Sequence, residues 1–138
     1  MREIATSRDI VCTGVQYTRL VNMGLGVLQK REQHLNPSIR SIIQQEVTSA
    51  GHSGLQRFLE GGAFRNLENL LSTMEDIPWL SERETAVKDL HRLFLELHRG
   101  HKRGVELKAK DWLTLCKERS WGAEKTLAAR VLSAYNAC

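Results

Sequence analysis

The sequence predicts an all-α protein, a compact bundle of five to seven amphipathic helices forming a single domain. Apolar residues recur three or four positions apart along most of the chain, which is the period of a helix. No segment shows the sustained alternation of a β-strand, and two prolines in 138 residues are few for a disordered chain. Pro78 is the alternative boundary at which the chain would divide into two helical subdomains.

The first half of the chain is predicted to contain four helical segments. Asn36-Pro37 is a start signal, since asparagine caps a helix whose first residue is proline. Gly51 is predicted to end that helix. Gly24 and Gly26 indicate either a break in the first helix or a close approach by another helix. The predicted segments are about Ser7 to Gln33, Asn36-Pro37 to Gly51, a short piece with Leu55, Phe58 and Leu59, and Phe64 to Met74.

The second half begins with a rigid turn at Ile77-Pro78-Trp79 and is predicted to hold three helices. Ser81 and Glu84 have the spacing of a capping box before an apolar run. Gly100 is the predicted stop of that helix, and Ser120 is the predicted cap of the last one. The predicted helices run from Ser81 to Gly100, from Val105 to Arg119 and from Ser120 to about Tyr135.

The charge is unevenly distributed. Residues 98–110, termed the basic segment, hold five basic residues and one acidic residue, which equals the net charge of +4 of the whole chain. Exposed cations between two helix ends contact phosphates, so the segment predicts binding of DNA or RNA mainly through the backbone. The alternative is a solvated loop that keeps the protein soluble, and no aromatic residue interleaves the cations. The predicted site residues are Arg99, Lys102, Arg103, Lys108 and Lys110.

The last two helices also have lengths that suit a helix-turn-helix motif, with Gly122 as the turn glycine. Glu118 stands where the first helix of such a motif normally carries a small residue. The second helix offers only Lys125, Thr126 and Arg130 as base readers. An ordinary antiparallel helix pair is therefore the favoured interpretation.

The second functional hypothesis is a protein-interaction adaptor. Its apolar helix face would be the one that runs from Val11 to Leu28, and it would associate with a protein partner or with a second copy as a homodimer. Trp79 and Trp121 occupy junctions, where tryptophan either closes the end of a bundle or anchors a partner.

An enzyme is not predicted, because the sequence contains no H-E-x-x-H, Walker, G-x-S-x-G or G-x-G-x-x-G motif. His98 and His101 have a spacing that two metal ligands use, but the further ligands of a site are missing, so neither a metal nor a cofactor is expected. Three widely spaced cysteines do not form a disulfide framework, which favours a reducing compartment, cytoplasmic or nuclear. No apolar run has the length of a membrane span.

Overall fold

A computed structural model describes residues 7–30 and 34–137, and within them the protein is all-α, as predicted. It contains six helices in the described part and no strand. None of these helices has the length and apolar character needed to cross a membrane. The helices are α1 (Ser7–Lys30), α2 (Pro37–Glu60), α3 (Phe64–Met74), α4 (Glu82–His98), α5 (Val105–Arg119) and α6 (Gly122–Ala137).

Contacts along the chain divide it into two compact units. Unit 1 ends at Trp79 and contains α1, α2 and α3, whereas unit 2 begins at Leu80 and contains α4, α5 and α6. The residues between α3 and α4 include the predicted turn Ile77-Pro78-Trp79, and they are not helical. The organisation as one domain stays a prediction.

Unit 1 is built on an antiparallel hairpin of α1 and α2, with α3 packed against both. Asn36 caps α2 as predicted, because its side chain accepts a hydrogen bond of 2.8 Å from the backbone N–H of Ser38. The core of the unit consists of fully buried apolar side chains, whose burial supplies most of its stability. They include Val21, Leu55, Phe58, Leu67, Leu70, Leu71 and Met74.

The prediction that Gly51 ends a helix was wrong, because α2 continues through Gly51 and Gly54 to Glu60. A Cβ on Gly51 would lie 2.8 Å from Cε of Met74, and one on Gly54 would lie 2.7 Å from Cδ2 of Leu70. These glycines admit α3 rather than stop α2. Gly24 likewise lies against Val47 within a continuous α1, so of the two interpretations offered for it the close approach is the one observed. The predicted end of α1 at Gln33 lies outside the described residues.

Unit 2 packs α4, α5 and α6 around one apolar cluster. Ser81 and Glu84 form the predicted capping box of α4. Gly100, at a φ of 79°, follows the end of α4, and hydrogen bonds from Gly100 N to Leu97 O and from His101 N to Glu96 O close a Schellman motif. The cluster consists of Leu90, Leu93, Leu97, Val105, Ala109, Ala128 and Val131.

The prediction that Ser120 caps the last helix was wrong. Ser120 is in the left-handed conformation, with a φ of 58°, and it ends α5. The backbone N–H of Trp121 bonds to the carbonyl oxygen of Cys116 at 2.9 Å, which is again the closure of a Schellman motif. α6 then begins at Gly122.

Candidate nucleic-acid interface and exposed hairpin face

The basic segment covers the end of α4, the connection over residues 99–104 and the first two turns of α5. All five predicted cations lie exposed on the surface: Arg99, Lys102, Arg103, Lys108 and Lys110. Gly100 and Gly104 both have a positive φ, which shapes the connection. Val105 is buried and holds the start of α5 in the core of unit 2. The cations therefore protrude from a fixed scaffold.

Lys110 is paired with an acid of its own helix. Its Nζ lies 2.5 Å from Oε1 of Glu106, one helical turn earlier. Hydrogen bonds from Lys110 and from the Tyr135 hydroxyl hold the pKa of Glu106 below its ordinary value. The same carboxylate raises the pKa of Lys110 and that of Tyr135. Glu106 therefore stays ionised at neutral pH and neutralises part of the field of Lys110.

Lys102 has an aromatic partner. Its Nζ lies 4.8 Å from the centroid of the Tyr135 ring, a distance at which a cation is attracted to the face of an aromatic ring. Tyr135 is on α6 and packs partly against the core cluster of unit 2. The basic segment thus has an aromatic neighbour from a different helix.

An open groove of about 570 Å³, termed the Tyr135 groove, lies between these side chains. Leu107, with 67% of its surface exposed, contributes an apolar wall. Sequence reasoning missed both Tyr135 and Leu107 as site residues. Tyr135 belongs to an apolar stripe of α6 in the sequence, and no local signal shows that the stripe ends beside the cations. The lining residues are Lys102, Arg103, Gly104, Glu106, Leu107, Lys110 and Tyr135.

A second carboxylate, that of Glu96, reduces the positive charge at the end of α4. Nδ1 of His101 lies 3.0 Å from Oε2 of Glu96, so this carboxylate lies beside the basic segment. Two acids, Glu96 and Glu106, therefore accompany the five cations. The remaining charge is still positive.

The junction of α5 and α6 differs from the one that the helix-turn-helix interpretation predicts. Only Ser120 and Trp121 separate the two helices, and Gly122 is the first residue of α6 rather than part of a turn. Lys125 and Arg130 are exposed. The guanidinium of Arg130 lies 5.7 Å from the centroid of the Phe94 ring on α4. The pair packs as two consecutive antiparallel helices of a three-helix unit.

The apolar face predicted from Val11 to Leu28 lies largely inside unit 1. Val21 is fully buried, and the other apolar members are partly buried: Val11, Val15, Leu25 and Leu28. The neighbouring stripe of α1 is exposed instead, together with two isoleucines of α2. These five side chains, with exposed fractions in parentheses, are Leu20 (53%), Met23 (67%), Val27 (40%), Ile39 (50%) and Ile42 (59%).

The five exposed residues share one side of the hairpin. Gly24 of α1 lies against Ile43 and Val47 of α2. Met23 and Ile42 each come one position before these contact residues. In an antiparallel pair, the positions one residue before the contacts fall on the same side of both helices. The five side chains therefore form one apolar surface, termed the hairpin face.

The described His, Cys, Asp and Glu side chains are of the kinds that a metal site or a catalytic site requires. Among the described residues, no three His, Cys, Asp or Glu side chains are grouped so that they could hold a metal ion. Cys12 is an exposed free thiol and Cys116 a buried one. Burial, followed by the charge of Glu124, raises the pKa of the Cys116 thiol, which keeps it protonated at neutral pH. Nδ1 of His91 lies 2.7 Å from the carbonyl oxygen of Val87 in its own helix.

The chain matches no protein-family profile, and neither a curated protein nor a solved structure shows significant similarity to it.

Proposed function

We propose that the protein binds nucleic acid through the basic segment and acts as a non-enzymatic regulatory or accessory factor in a reducing compartment, the cytoplasm or the nucleus. One observation carries this proposal. The whole excess of positive charge, +4, lies in residues 98–110, and the five cations concerned are exposed on a folded scaffold. The three widely spaced cysteines, which do not form a disulfide framework, support the compartment.

The expected mode of binding is contact with phosphates. Lysine and arginine side chains that protrude from a helix end and its connection reach the backbone, which carries no direct sequence information. Each phosphate neutralised adds about 0.7 to 0.9 to the salt dependence of log K. Up to five contacts therefore predict moderate affinity that decreases steeply with salt. The carboxylate of Glu106 competes with phosphate for Lys110 and weakens that contact.

The test is a fluorescence anisotropy titration of labelled oligonucleotides at low and physiological salt. The variant changes Arg99, Lys102 and Arg103 to alanine. A charge-matched control changes Lys30, Arg65 and Lys117 to alanine, because these cations are also exposed but lie outside the basic segment. Both variants lose three positive charges, so only position distinguishes them.

We expect the triple variant of the basic segment to lose most of the binding and the control to retain it. Equal losses in the two variants would show that net charge, and not this site, is responsible. Absence of binding by the wild type in both salt conditions would refute the proposal. Loss of binding in a Lys125→Ala and Arg130→Ala double variant alone would favour the helix-turn-helix interpretation instead.

A second candidate function is self-association through the hairpin face, and the five exposed apolar side chains favour it. Exposed apolar patches of this kind mark interaction sites. Burying the exposed half of five such side chains contributes about 5 kcal/mol per copy, or about 10 kcal/mol for two copies. The cost of association is about 4 to 15 kcal/mol. In the lower half of that range of costs, these magnitudes give a weak, concentration-dependent homodimer.

Sedimentation equilibrium tests this second candidate with Met23→Glu and Ile42→Glu combined in one variant. Leu107→Glu is the matched control, since Leu107 and Met23 are both 67% exposed. We expect the wild type and the control to associate, and the hairpin variant to remain monomeric. A monomeric wild type at high concentration, or association that persists in the hairpin variant, would exclude this interface.

A further inference from the structure

We infer that the Tyr135 groove is a binding site for a single nucleotide unit of a single-stranded nucleic acid, with a base stacked on the Tyr135 ring and the flanking phosphates on the cations around it. This inference rests on the proposed function, which it narrows from nucleic acid in general to single strands.

The Tyr135 ring lies between the core of unit 2 and the groove. Tyr135 is partly buried, and its neighbours on the inner side belong to the core cluster of unit 2. The ring also lines the groove, and Nζ of Lys102 covers it at 4.8 Å from the centroid. One face of the ring therefore carries a flexible cation that also lines the groove.

A base that enters the groove would displace Lys102 from the ring. The ammonium group of Lys102 is exposed and on a flexible stem. A base that stacks on the ring takes the place of Lys102, and the adjacent phosphate gives the ammonium group a stronger partner than the ring. On binding, the cation–π contact of Lys102 with Tyr135 and the hydration of these groups are lost. They are replaced by stacking of the base on the ring and by the ion pair of Lys102 with the phosphate.

Most of the remaining lining residues fit the same occupant. Arg103 presents positive charge to a backbone that passes through the groove, whereas Lys110 shares its charge with Glu106, which also lines the groove. Leu107 offers an exposed apolar wall to a sugar or to the edge of a base. The Tyr135 ring packs partly against the core cluster of unit 2, which limits its motion before a ligand binds.

The combination selects single strands because only an unpaired base exposes its face. Aromatic side chains within a cationic groove are the usual means of binding single strands without sequence preference. A duplex would reach the same cations through its phosphates but would leave Tyr135 and Leu107 without a ligand. An aromatic residue among these cations therefore favours binding of a single strand over binding of a duplex.

The test compares a 12-nucleotide oligo-U strand with a 12-base-pair RNA duplex in anisotropy titrations of the full chain. Tyr135→Leu keeps an apolar side chain against the core and removes the ring, whereas Tyr135→Phe keeps the ring and removes the hydroxyl. Leu107→Gln is a second variant whose site is already exposed and outside the core. Thermal unfolding by circular dichroism verifies that each variant is folded.

We expect Tyr135→Leu to weaken single-strand binding about 5-fold to 150-fold, the range for loss of one stacked base, and Tyr135→Phe to retain binding. Leu107→Gln should weaken it by a smaller factor, and duplex binding should be unchanged in all three. Equal affinity of the wild type for the strand and the duplex, both lost in the Arg99, Lys102 and Arg103 variant, would overturn the inference and leave the proposed function standing. Absence of binding to either ligand would overturn both. Equal binding of a 12-residue poly-glutamate peptide would show that the groove recognises negative charge and not bases.

Discussion

The hairpin face in unit 1 and the basic segment in unit 2 differ in the chemistry they expose. Unit 1 has eight basic and eight acidic residues, whereas unit 2 has twelve basic and eight acidic residues. Conversely, unit 1 carries five of the six large apolar side chains that are exposed in the described chain, and unit 2 carries only Leu107. One unit therefore presents a neutral apolar surface and the other a cationic surface with an aromatic neighbour.

The same residue type also has different roles in the two regions. Gly14, Gly51 and Gly54 of unit 1 stand where a Cβ would collide with a neighbouring side chain. Gly100 and Gly104 of the basic segment have nothing within 4 Å of that position, and each has a positive φ instead. Glycine provides close helix packing beneath the hairpin face and left-handed backbone in the basic segment. Substitutions can therefore affect one region and spare the other.

The largest expected effect is on the packing of the hairpin. We expect Gly54→Val to lower the free energy of unfolding of unit 1 by about 3 kcal/mol, because the new side chain overpacks a closed contact. A Cβ there would lie 2.7 Å from Leu70 and 3.3 Å from Tyr17. Urea denaturation measures the change. The control is Gly26→Ala, where the space is empty, and it should stabilise the protein by about 1 kcal/mol.

Salt should weaken binding at the basic segment far more than self-association at the hairpin face. The expected difference in free energy is nearly as large as the effect of Gly54→Val. Five phosphate contacts predict that single-strand affinity decreases about 100-fold when salt rises from about 50 to 200 mM. Self-association through apolar side chains should change less than about twofold over that range, since it releases no counterions. Parallel anisotropy and sedimentation experiments measure both. Similar salt dependence of the two processes would mean that they use one surface.

A smaller effect is expected from Gly104, which precedes α5 within the basic segment. Its φ of 81° disfavours any other residue, so Gly104→Ala should cost about 1 to 2 kcal/mol of unfolding free energy. Gly104→Asn should cost less, because asparagine adopts this conformation more readily. Thermal melts of the two variants check the order, and an alanine variant as stable as the wild type would contradict a left-handed backbone at this position.

The smallest effect concerns Glu106. Its pKa in the folded protein is below the ordinary value of 4.5, so the stabilisation from its bonds to Lys110 and Tyr135 is present above that value. This stabilisation is lost as the pH falls through the lower folded pKa. We expect Glu106→Gln to flatten the acid limb of stability measured in urea below about pH 5. An unchanged acid limb would show that these bonds contribute no stability.

Glu106→Gln should also change binding at neutral pH. It releases Lys110 for phosphate, so the salt dependence of log K for a single strand should become steeper by about 0.7. Glu118→Gln is the matched control, because it removes the same charge at an exposed position of α5 outside the groove. A steeper salt dependence in the control as well would assign the effect to net charge.

The fold was predictable from sequence wherever the signal was local. The helical period and the caps at Asn36 and Ser81 involve neighbouring residues, and the structure confirms them. The prediction for Gly51 was wrong because a tertiary contact with Met74 overrides the local rule, and the prediction for Ser120 was wrong because this residue ends α5 in a left-handed conformation. A glycine that ends a helix and one that admits Met74 look the same in sequence, and a serine at a helix end serves either as an N-cap or, less commonly, as a left-handed terminus.

The candidate site was predictable in part for the same reason. The five cations lie within twelve positions of one another, so their clustering is visible in the sequence. The groove depends on Tyr135, which is distant along the chain and reaches the segment only because α6 packs beside α5. The hairpin face depends on which side of α1 packs against α2. The apolar period alone did not show this, and the exposed stripe was one position away from the predicted one.

Under our proposal, recognition of nucleic acid is confined to the basic segment and the Tyr135 groove. The most direct test is the titration of ¹⁵N-labelled protein with a short oligo-U strand, observed by backbone amide chemical shifts. We predict salt-sensitive shifts confined to residues 99–110 and the vicinity of Tyr135, with none along the hairpin face. Shifts centred on Lys125 and Arg130 or on α1 and α2, or no shifts at low salt, would contradict the proposal.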